Sequence, residues 1–296
     1  MDKGRFEPHI FGMTVLSGKT KPFAVLGHPV GHSLSPAMHN PALQAMSLDA
    51  AYMAFDVVPE RVLEVLASME VMGFGGVNLT VPHKEVAFAG FDRLDPSAQV
   101  MRAVNTVQFT SEGMVGHNTD GVGFLRAAEE AFGEGFRGSE VFVAGTGGAG
   151  RAVAIACAQA GASRVVLYNR TAAKAERLAE ELDALGTGAA VSVTDQGCDA
   201  VSSDWVINGT SLGMKADDPP LLPAEAFRPG QRVMDLIYVK PVTPFMEPAI
   251  AAGAEAVNGL GMLLHQGVKA LEIWLEREIP VEAMRAGLEE AVYGNG

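Results

Sequence analysis

Gly145-Thr146-Gly147-Gly148-Ala149-Gly150 carries glycines at the G-x-G-x-x-G spacing, with Gly145, Gly147 and Gly150 on its three fixed positions. Such a loop can bring backbone amides against a pyrophosphate: one glycine makes the turn, one lets the chain approach the ligand, and one packs helix on strand. The motif alone is weak. Here the apolar run Val141-Phe142-Val143-Ala144 precedes it, the apolar helix pattern Ala152 to Ala160 follows, and a second strand, Val165-Val166-Leu167-Tyr168, comes at the expected distance. At the tip of that second strand an acid would bind a ribose 2′-hydroxyl, but the chain has Asn169-Arg170-Thr171 and then Lys174. Two cations there suit a 2′-phosphate, and as cations near a helix start they oppose its dipole unless an anion joins them. NADP(H) is therefore preferred to NAD(H).

The first half offers a different set. Asn78-Leu79-Thr80-Val81-Pro82-His83-Lys84 ends a strand, with Asn78 and Thr80 on one face by period-two alternation and Lys84 in the following turn. Asn105 in Ala103-Val104-Asn105-Thr106 and Asp120 in His117-Asn118-Thr119-Asp120 also stand where apolar segments stop, the place where ligands meet α/β sheets. Taken singly, a lysine is most often a solvated surface residue, and an Asn or Asp at such a point is most often an Asx-turn or a helix cap.

These residues need elements to hold them, and strand and helix signals alternate along almost the whole chain, the pattern of crossover-built parallel sheets. Phe23-Ala24-Val25-Leu26 reads as a buried strand, Ala51 to Val57 as a second and Gly75 to Val81 as a third, with helical spacing over Arg61 to Met69. Ser35-Pro36 suits a helix start, Ser as cap and Pro in the first turn, and Pro41 predicts a kink inside that helix. The texture changes after Asn118-Thr119-Asp120-Gly121, so the main domain crossover is placed near residue 120. Val122 to Phe132 and Ala172 to Leu185 read as helices, Trp205 to Asn208 and Val233 to Leu236 as strands, and Leu260 to Leu275 as an apolar helix that needs a partner surface.

Composition narrows the partners. The chain has 296 residues, a soft prior of two domains, with 48% hydrophobic and 19% charged residues and 34 glycines, the profile of a turn-rich α/β enzyme. Its 35 acidic against 22 basic side chains leave a net charge of −13, which disfavours nucleic acid and anionic membrane and leaves small molecules as partners. Cys157 and Cys198 lack metal-site or disulfide spacing and are both read as buried small residues. Met1 to Pro8 has no apolar signal core, and no apolar run reaches the roughly 18 residues that span a bilayer, which predicts a cytoplasmic protein.

Across nearly its full length the chain resembles the shikimate dehydrogenase family. The matching strings are Gly31-His32-Ser33-Leu34-Ser35-Pro36-Ala37-Met38-His39-Asn40, the N-x-T-x-P-x-K of Asn78 to Lys84, Ala103-Val104-Asn105-Thr106 and Asn118-Thr119-Asp120-Gly121. Further along come the Gly145 to Ala149 loop, Asn169-Arg170-Thr171, Asn208-Gly209-Thr210-Ser211, Tyr238 with Lys240-Pro241 and Thr243-Pro244, and Asn258-Gly259-Leu260-Gly261-Met262-Leu263 with Gln266. Roughly the first 20 residues fall outside the resemblance. Pro41 and Gly209 stand where the family more usually has alanine, which touches helix shape and loop packing rather than chemistry.

The resemblance implies NADP-dependent interconversion of 3-dehydroshikimate and shikimate, on the route to aromatic amino acids, by a monomer or homodimer. It implies an α/β fold in which residues 1–119 and 260–296 form a substrate-binding catalytic domain and 120–259 a Rossmann domain, the C-terminal helix returning with Gln266 to the substrate side. Ser33, Ser35 and Tyr238 would then donate to the substrate carboxylate, and Asn78, Thr80, Asn105, Asp120 and Gln266 would read the ring. Lys84 would be the acid/base, oriented by Asp120, a task an amine performs near neutral pH only when burial or a neighbour lowers its pKa. The cofactor would lie on Gly145, Thr146, Gly147, Gly148, Ala149, Asn169, Arg170, Thr171, Lys174, Thr210, Leu236 and Gly259. Two other readings carry the same motifs: a dehydrogenase of broader quinate/shikimate specificity, and a non-catalytic sensor of quinate-like ligands, which should have lost Lys84 or Asp120.

Overall fold

Apolar, β-branched runs build two separate sheets. The computed structural model describes residues 16–215 and 217–294, so the N-terminal stretch read above for its lack of a signal core lies outside the described residues. The first sheet comes from β1 (Lys21–Gly27), α1 (Ser35–Ala45), β2 (Ala50–Asp56), α2 (Val62–Val71), β3 (Gly76–Leu79), α3 (His83–Gly90), α4 (Pro96–Met101), β4 (Thr106–Thr110) and β5 (Gly113–His117). Its order is β2-β1-β3-β4-β5. The first three strands are parallel, with Phe23 opposite Tyr52 and Val25 opposite Asn78, and β4 and β5 add an antiparallel hairpin. Sequence periodicity marks no strand over 106–117, because Gln108, Gly113, Gly116 and His117 dilute the apolar alternation.

The second sheet comes from α5 (Asp120–Phe132), β6 (Glu140–Ala144), α6 (Gly148–Gln159), β7 (Arg164–Tyr168), α7 (Ala172–Ala184), β8 (Ala190–Thr194), β9 (Trp205–Asn208), β10 (Arg232–Asp235), α8 (Met246–Ala251) and β11 (Glu255–Val257). All six strands are parallel in the order β11-β10-β9-β6-β7-β8. The strand order reverses between β6 and β9. In a doubly wound sheet the crevice beyond the carboxyl ends at that point is where ligands bind.

Two helices, α9 (Leu260–Leu275) and α10 (Val281–Tyr293), complete the chain. Leu264, Val268 and Leu271 of α9, with Met284 and Leu288 of α10, join Phe23, Met38, Leu43 and Tyr52 in one buried cluster on the first sheet. Helix α5 instead packs Phe124, Ala127 and Ala128 with Phe136 and Trp205 on the second. The two helices also lie against each other, tied by a bidentate Arg126–Glu272 pair at 2.8 and 3.0 Å, so α5 and α9 form the strut between the sheets. A second tie crosses from α6: Arg151 donates to the carbonyls of Val100 and Met101 at the end of α4 while also pairing with Glu181 of α7.

Local chemistry departs from the sequence expectations at Ser35 and Cys198, and Pro41 is accommodated between them. Ser35 is the first helical residue of α1, not its cap, since Leu34 holds the cap position with no side-chain bond. Helix α1 continues as one element through Pro41, whose missing N–H leaves the Ala37 carbonyl without its intrahelical donor. Gly287 of α10 packs over that gap, where a Cβ would fall 2.4 Å from the Ala37 oxygen and 2.7 Å from Pro41 Cγ. Cys157 is buried in α6 as expected, but Cys198 is exposed, because Ala200 takes the inward position of the same short turn. No helix among the described residues is long and apolar enough to cross a membrane.

The contact over Pro41 sets a packing test. Gly287→Ala forces α10 away from α1 and is expected to lower stability by about 1–3 kcal/mol, read as a lower urea midpoint at unchanged slope.

Candidate active site

Asp120 opens α5, and a carboxylate at a helix N-terminus is favoured by the exposed amides there. Its own N–H donates to Asn118 Oδ1 at 3.0 Å, which sets the turn. The carboxylate takes Lys84 Nζ on Oδ2 at 2.7 Å and Asn105 Nδ2 on Oδ1 at 2.8 Å. Lys84 is the second residue of α3 rather than part of a loose turn, and its backbone carbonyl accepts from Val104 N at 2.9 Å. That bond docks α3 beside the Asn105 segment. The side chains of Lys84 and Asp120 are 29% and 16% exposed, so the pair is partly withdrawn from water but open to a ligand.

The opening is a cavity of about 320 Å³ between the two sheets, within the range of small-molecule sites. From the first half, His32, Ser33, Ser35, Asn78, Thr80, Lys84 and Asp120 line it; Ala149, Leu236, Tyr238, Gly259, Met262, Leu263 and Gln266 close the other side. Burial raises the Tyr238 phenol above its ordinary pKa, so it remains a donor. Gln266 donates to the Leu263 carbonyl at 2.8 Å. Asn105 is the exception among the expected ring readers: it is buried and does not line the cavity, its amide being spent on Asp120 and Thr119. A second cleft of about 630 Å³ meets the same Lys84–Asp120 pair from the side of Gly148, Ala149 and Arg151.

The segment that carries Leu236 and Tyr238 is shaped by a group the sequence did not flag. Asp235, fully buried at the end of β10, accepts from Asn208 Nδ2 at 2.8 Å, Ile237 N at 3.1 Å and Thr243 Oγ1 at 2.5 Å. Burial still holds its carboxyl above the usual range. Asn208 in turn accepts Thr210 N and Oγ1 at 2.9 and 2.7 Å, so one network sets both loops at the switch point.

The glycine loop has the build of a pyrophosphate cradle. Gly145 adopts φ +94°, and a Cβ on Gly150 would lie 2.0 Å from the Gly145 carbonyl, so helix α6 can start against the strand only with glycine there. Gly209 belongs to the same close packing, 2.6 Å from Gly150 Cα for a would-be Cβ. By contrast nothing stands within 4 Å of a Cβ on Gly147 or Gly148, which leaves the amides at the start of α6 accessible. Thr146 Oγ1 is buried without a partner, and Thr146 N donates to Asn169 Oδ1 at 3.3 Å. Asn169 Nδ2 holds the Thr171 carbonyl at 2.9 Å, while Arg170 and Lys174 are exposed beside it and form no ion pair among the described residues. The donor set and the open backbone fit an anionic dinucleotide.

Comparison with known proteins agrees with this geometry. Family models match over residues 25–107 (shikimate dehydrogenase substrate binding domain), 126–212 (shikimate/quinate 5-dehydrogenase) and 259–289 (shikimate 5′-dehydrogenase C-terminal domain). The shikimate dehydrogenase (NADP(+)) of Methanopyrus kandleri is 42% identical over 93% of this chain and 97% of its own length. The chain belongs to the shikimate dehydrogenase family. A second member, from Moorella thermoacetica, is 44% identical over 95% of this chain and 96% of that one. The crystal structure of shikimate 5-dehydrogenase from Thermus thermophilus in complex with NADP(H) and shikimate superposes with a TM-score of 0.81 at 39% identity, covering 92% of this chain and all of that one.

Within α1 the buried His39 donates from Nδ1 to the Ser35 carbonyl at 2.8 Å, and burial lowers its pKa to about 4. The unfolded chain takes up this proton near the ordinary 6.5, so the stability contributed by neutral His39 is complete above that pH and is lost as pH falls toward 4. The loss amounts to about 3 kcal/mol over the window, from about 1.4 kcal/mol per unit. Urea unfolding at pH 7, 6 and 5 should show this slope, and His39→Gln should flatten it.

Proposed function

We propose that the chain interconverts 3-dehydroshikimate and shikimate with NADP(H). The observation that carries this reading is one cavity onto which an amine–carboxylate pair, two serine hydroxyls, a phenol and a glutamine all open beside the start of a dinucleotide helix. When bound, NADP(H) supplies or takes up the hydride. Lys84 gives or accepts the proton at the reacting oxygen, and Asp120, itself fixed by Asn105, orients the amine. Ser33, Ser35 and Tyr238 hold the substrate carboxylate, and Asn78, Thr80 and Gln266 read ring hydroxyls. Gly147, Gly148 and Ala149 receive the pyrophosphate, with Arg170 and Lys174 on the 2′-phosphate. Residues 1–119 with 260–296 make the substrate part, and 120–259 the cofactor part. The same reading has the enzyme acting in the cytoplasm, as a monomer or homodimer, consistent with two free cysteines.

Reduction of NADP⁺ and NAD⁺ measured side by side with shikimate and quinate tests the reading directly. Shikimate with NADP⁺ is expected to be the fastest pair; no turnover with it would refute the proposal, and faster quinate turnover would move the chain to the broader specificity.

Two variants separate roles. Lys84→Ala and Lys84→Met should each lower kcat by about 10²–10⁴-fold with a much smaller change in KM, whereas loss of a binding contact would raise KM chiefly. Arg170→Asp removes a charge-assisted phosphate contact and should raise the KM for NADP⁺ roughly tenfold or more while sparing NAD⁺. An unchanged cofactor preference would exclude Arg170 from that role.

A further inference from the structure

Tyr52 sits on β2, an edge strand, and is 2% exposed. The ring is core material: it stacks on His39 with centroids 4.1 Å apart and planes at 11°, with Trp274 at 6.4 Å. The hydroxyl is not needed for packing, and a buried phenol requires a partner. It donates to Asn78 Oδ1 at 2.7 Å. Burial pushes its pKa well up, so it remains a donor throughout the working range.

From there the bonds run in one direction. Asn78 Nδ2 donates to the Asn105 carbonyl and to Thr106 Oγ1, both at 3.0 Å. The Thr106 hydroxyl, having accepted, donates to Asn105 Oδ1 at 2.9 Å. Asn105 Nδ2 donates to Asp120 Oδ1 at 2.8 Å, and the other carboxylate oxygen takes Lys84 at 2.7 Å. Asn105 has an independent support, the Thr119 N–H on its Oδ1 at 2.9 Å. Asn78 Oδ1 has no donor other than Tyr52 among the described residues. The phenol is therefore the one support of the Asn78 amide oxygen, and Asn78, like Lys84, both lines the cavity and feeds the Asp120 network.

We propose that Tyr52 is a positioning residue for the reaction, acting through Asn78 to hold the cavity wall and the Lys84–Asp120 pair in register. The proposal rests on the dehydrogenase reading above. Tyr52→Phe keeps the ring and its stacking and removes only the donor. Loss of that donor removes one of the three hydrogen bonds on the Asn78 amide and leaves its oxygen to draw on a substrate hydroxyl or water, a shift that misplaces the reacting ring against Lys84.

The test is a double-mutant cycle in kcat for NADP⁺ reduction by shikimate, with unfolding midpoints measured alongside. The wild-type chain is assayed first: absence of turnover there brings down the functional reading, and the positioning role with it. With an active wild type, Tyr52→Phe is expected to lower kcat by about 3–30-fold at nearly unchanged KM, and to have no further effect in an Asn78→Ala background. An unaltered kcat in Tyr52→Phe overturns the proposal. So does an equal fold-loss in both backgrounds, which would mean that the phenol acts on the fold and not through Asn78.

Discussion

A carboxylate held away from bulk water needs donors, and Asp120 takes its two side-chain donors from the other half of the molecule. The body of α5 belongs to the core of the second sheet, yet its first residue is gripped by Lys84 of α3 and Asn105 beside β4. The remaining architecture can be understood as what keeps that grip in place. Helix α9 braces α5 through Arg126–Glu272, and the Val104–Lys84 backbone bond fixes the distance between the two donors. Removing either donor would leave a partly buried charge short of partners, which is why the two halves cannot be treated as independent modules.

Both sheets reverse strand order, and both reversals face the same cleft. In the first sheet the point lies between β1 and β3, whose ends lead into Ser33, Ser35 and Thr80; in the second it lies between β6 and β9, whose ends lead into the glycine loop and Thr210. Parallel strands aim their carboxyl ends at one edge, so two such edges set against each other give a cavity walled by loops with short, fixed roots. Buried polar networks then freeze those loops: Asn208, Asp235 and Thr243 on one wall, Tyr52, Asn78 and Thr106 on the other. Such networks cost little when every member is paired and much when one is lost.

What could be read in advance follows from range. The glycine loop was legible because its requirement is backbone geometry within a few residues, and strand, loop and helix appear in the sequence in that order. Polar residues at strand ends were legible as positions, but the pairing of Lys84 with Asp120, 36 residues apart, came only from resemblance to a family. In sequence Asn105 reads as a substrate contact, and the fold sets its amide on Asp120 as well; nothing local distinguishes an amide that reads a ligand from one that supports a neighbour. Tyr52 and Asp235 gave no sign at all, since in sequence one is a strand aromatic and the other a strand-end acid. The hairpin over 106–117 was hidden by its glycines, and Cys198 shows that a small thiol in an apolar composition can still face water.

The cover of the first sheet comes from the last part of the chain. Leu264, Val268 and Leu271, then Met284 and Leu288, close over Phe23, Met38 and Tyr52, more than 200 residues after those side chains were laid down. On a ribosome, where synthesis runs N-terminus first, the whole second sheet is made before α9 and α10 can complete the cover that α1 begins. Until α9 and α10 are released, the part of that face they cover stays open to chaperones or to misassociation, and α5 lacks its brace. The order in which the enzyme becomes competent is thus written into its topology: the glycine loop is made before the helix that carries Gln266, and the cavity exists only once the final helices have docked.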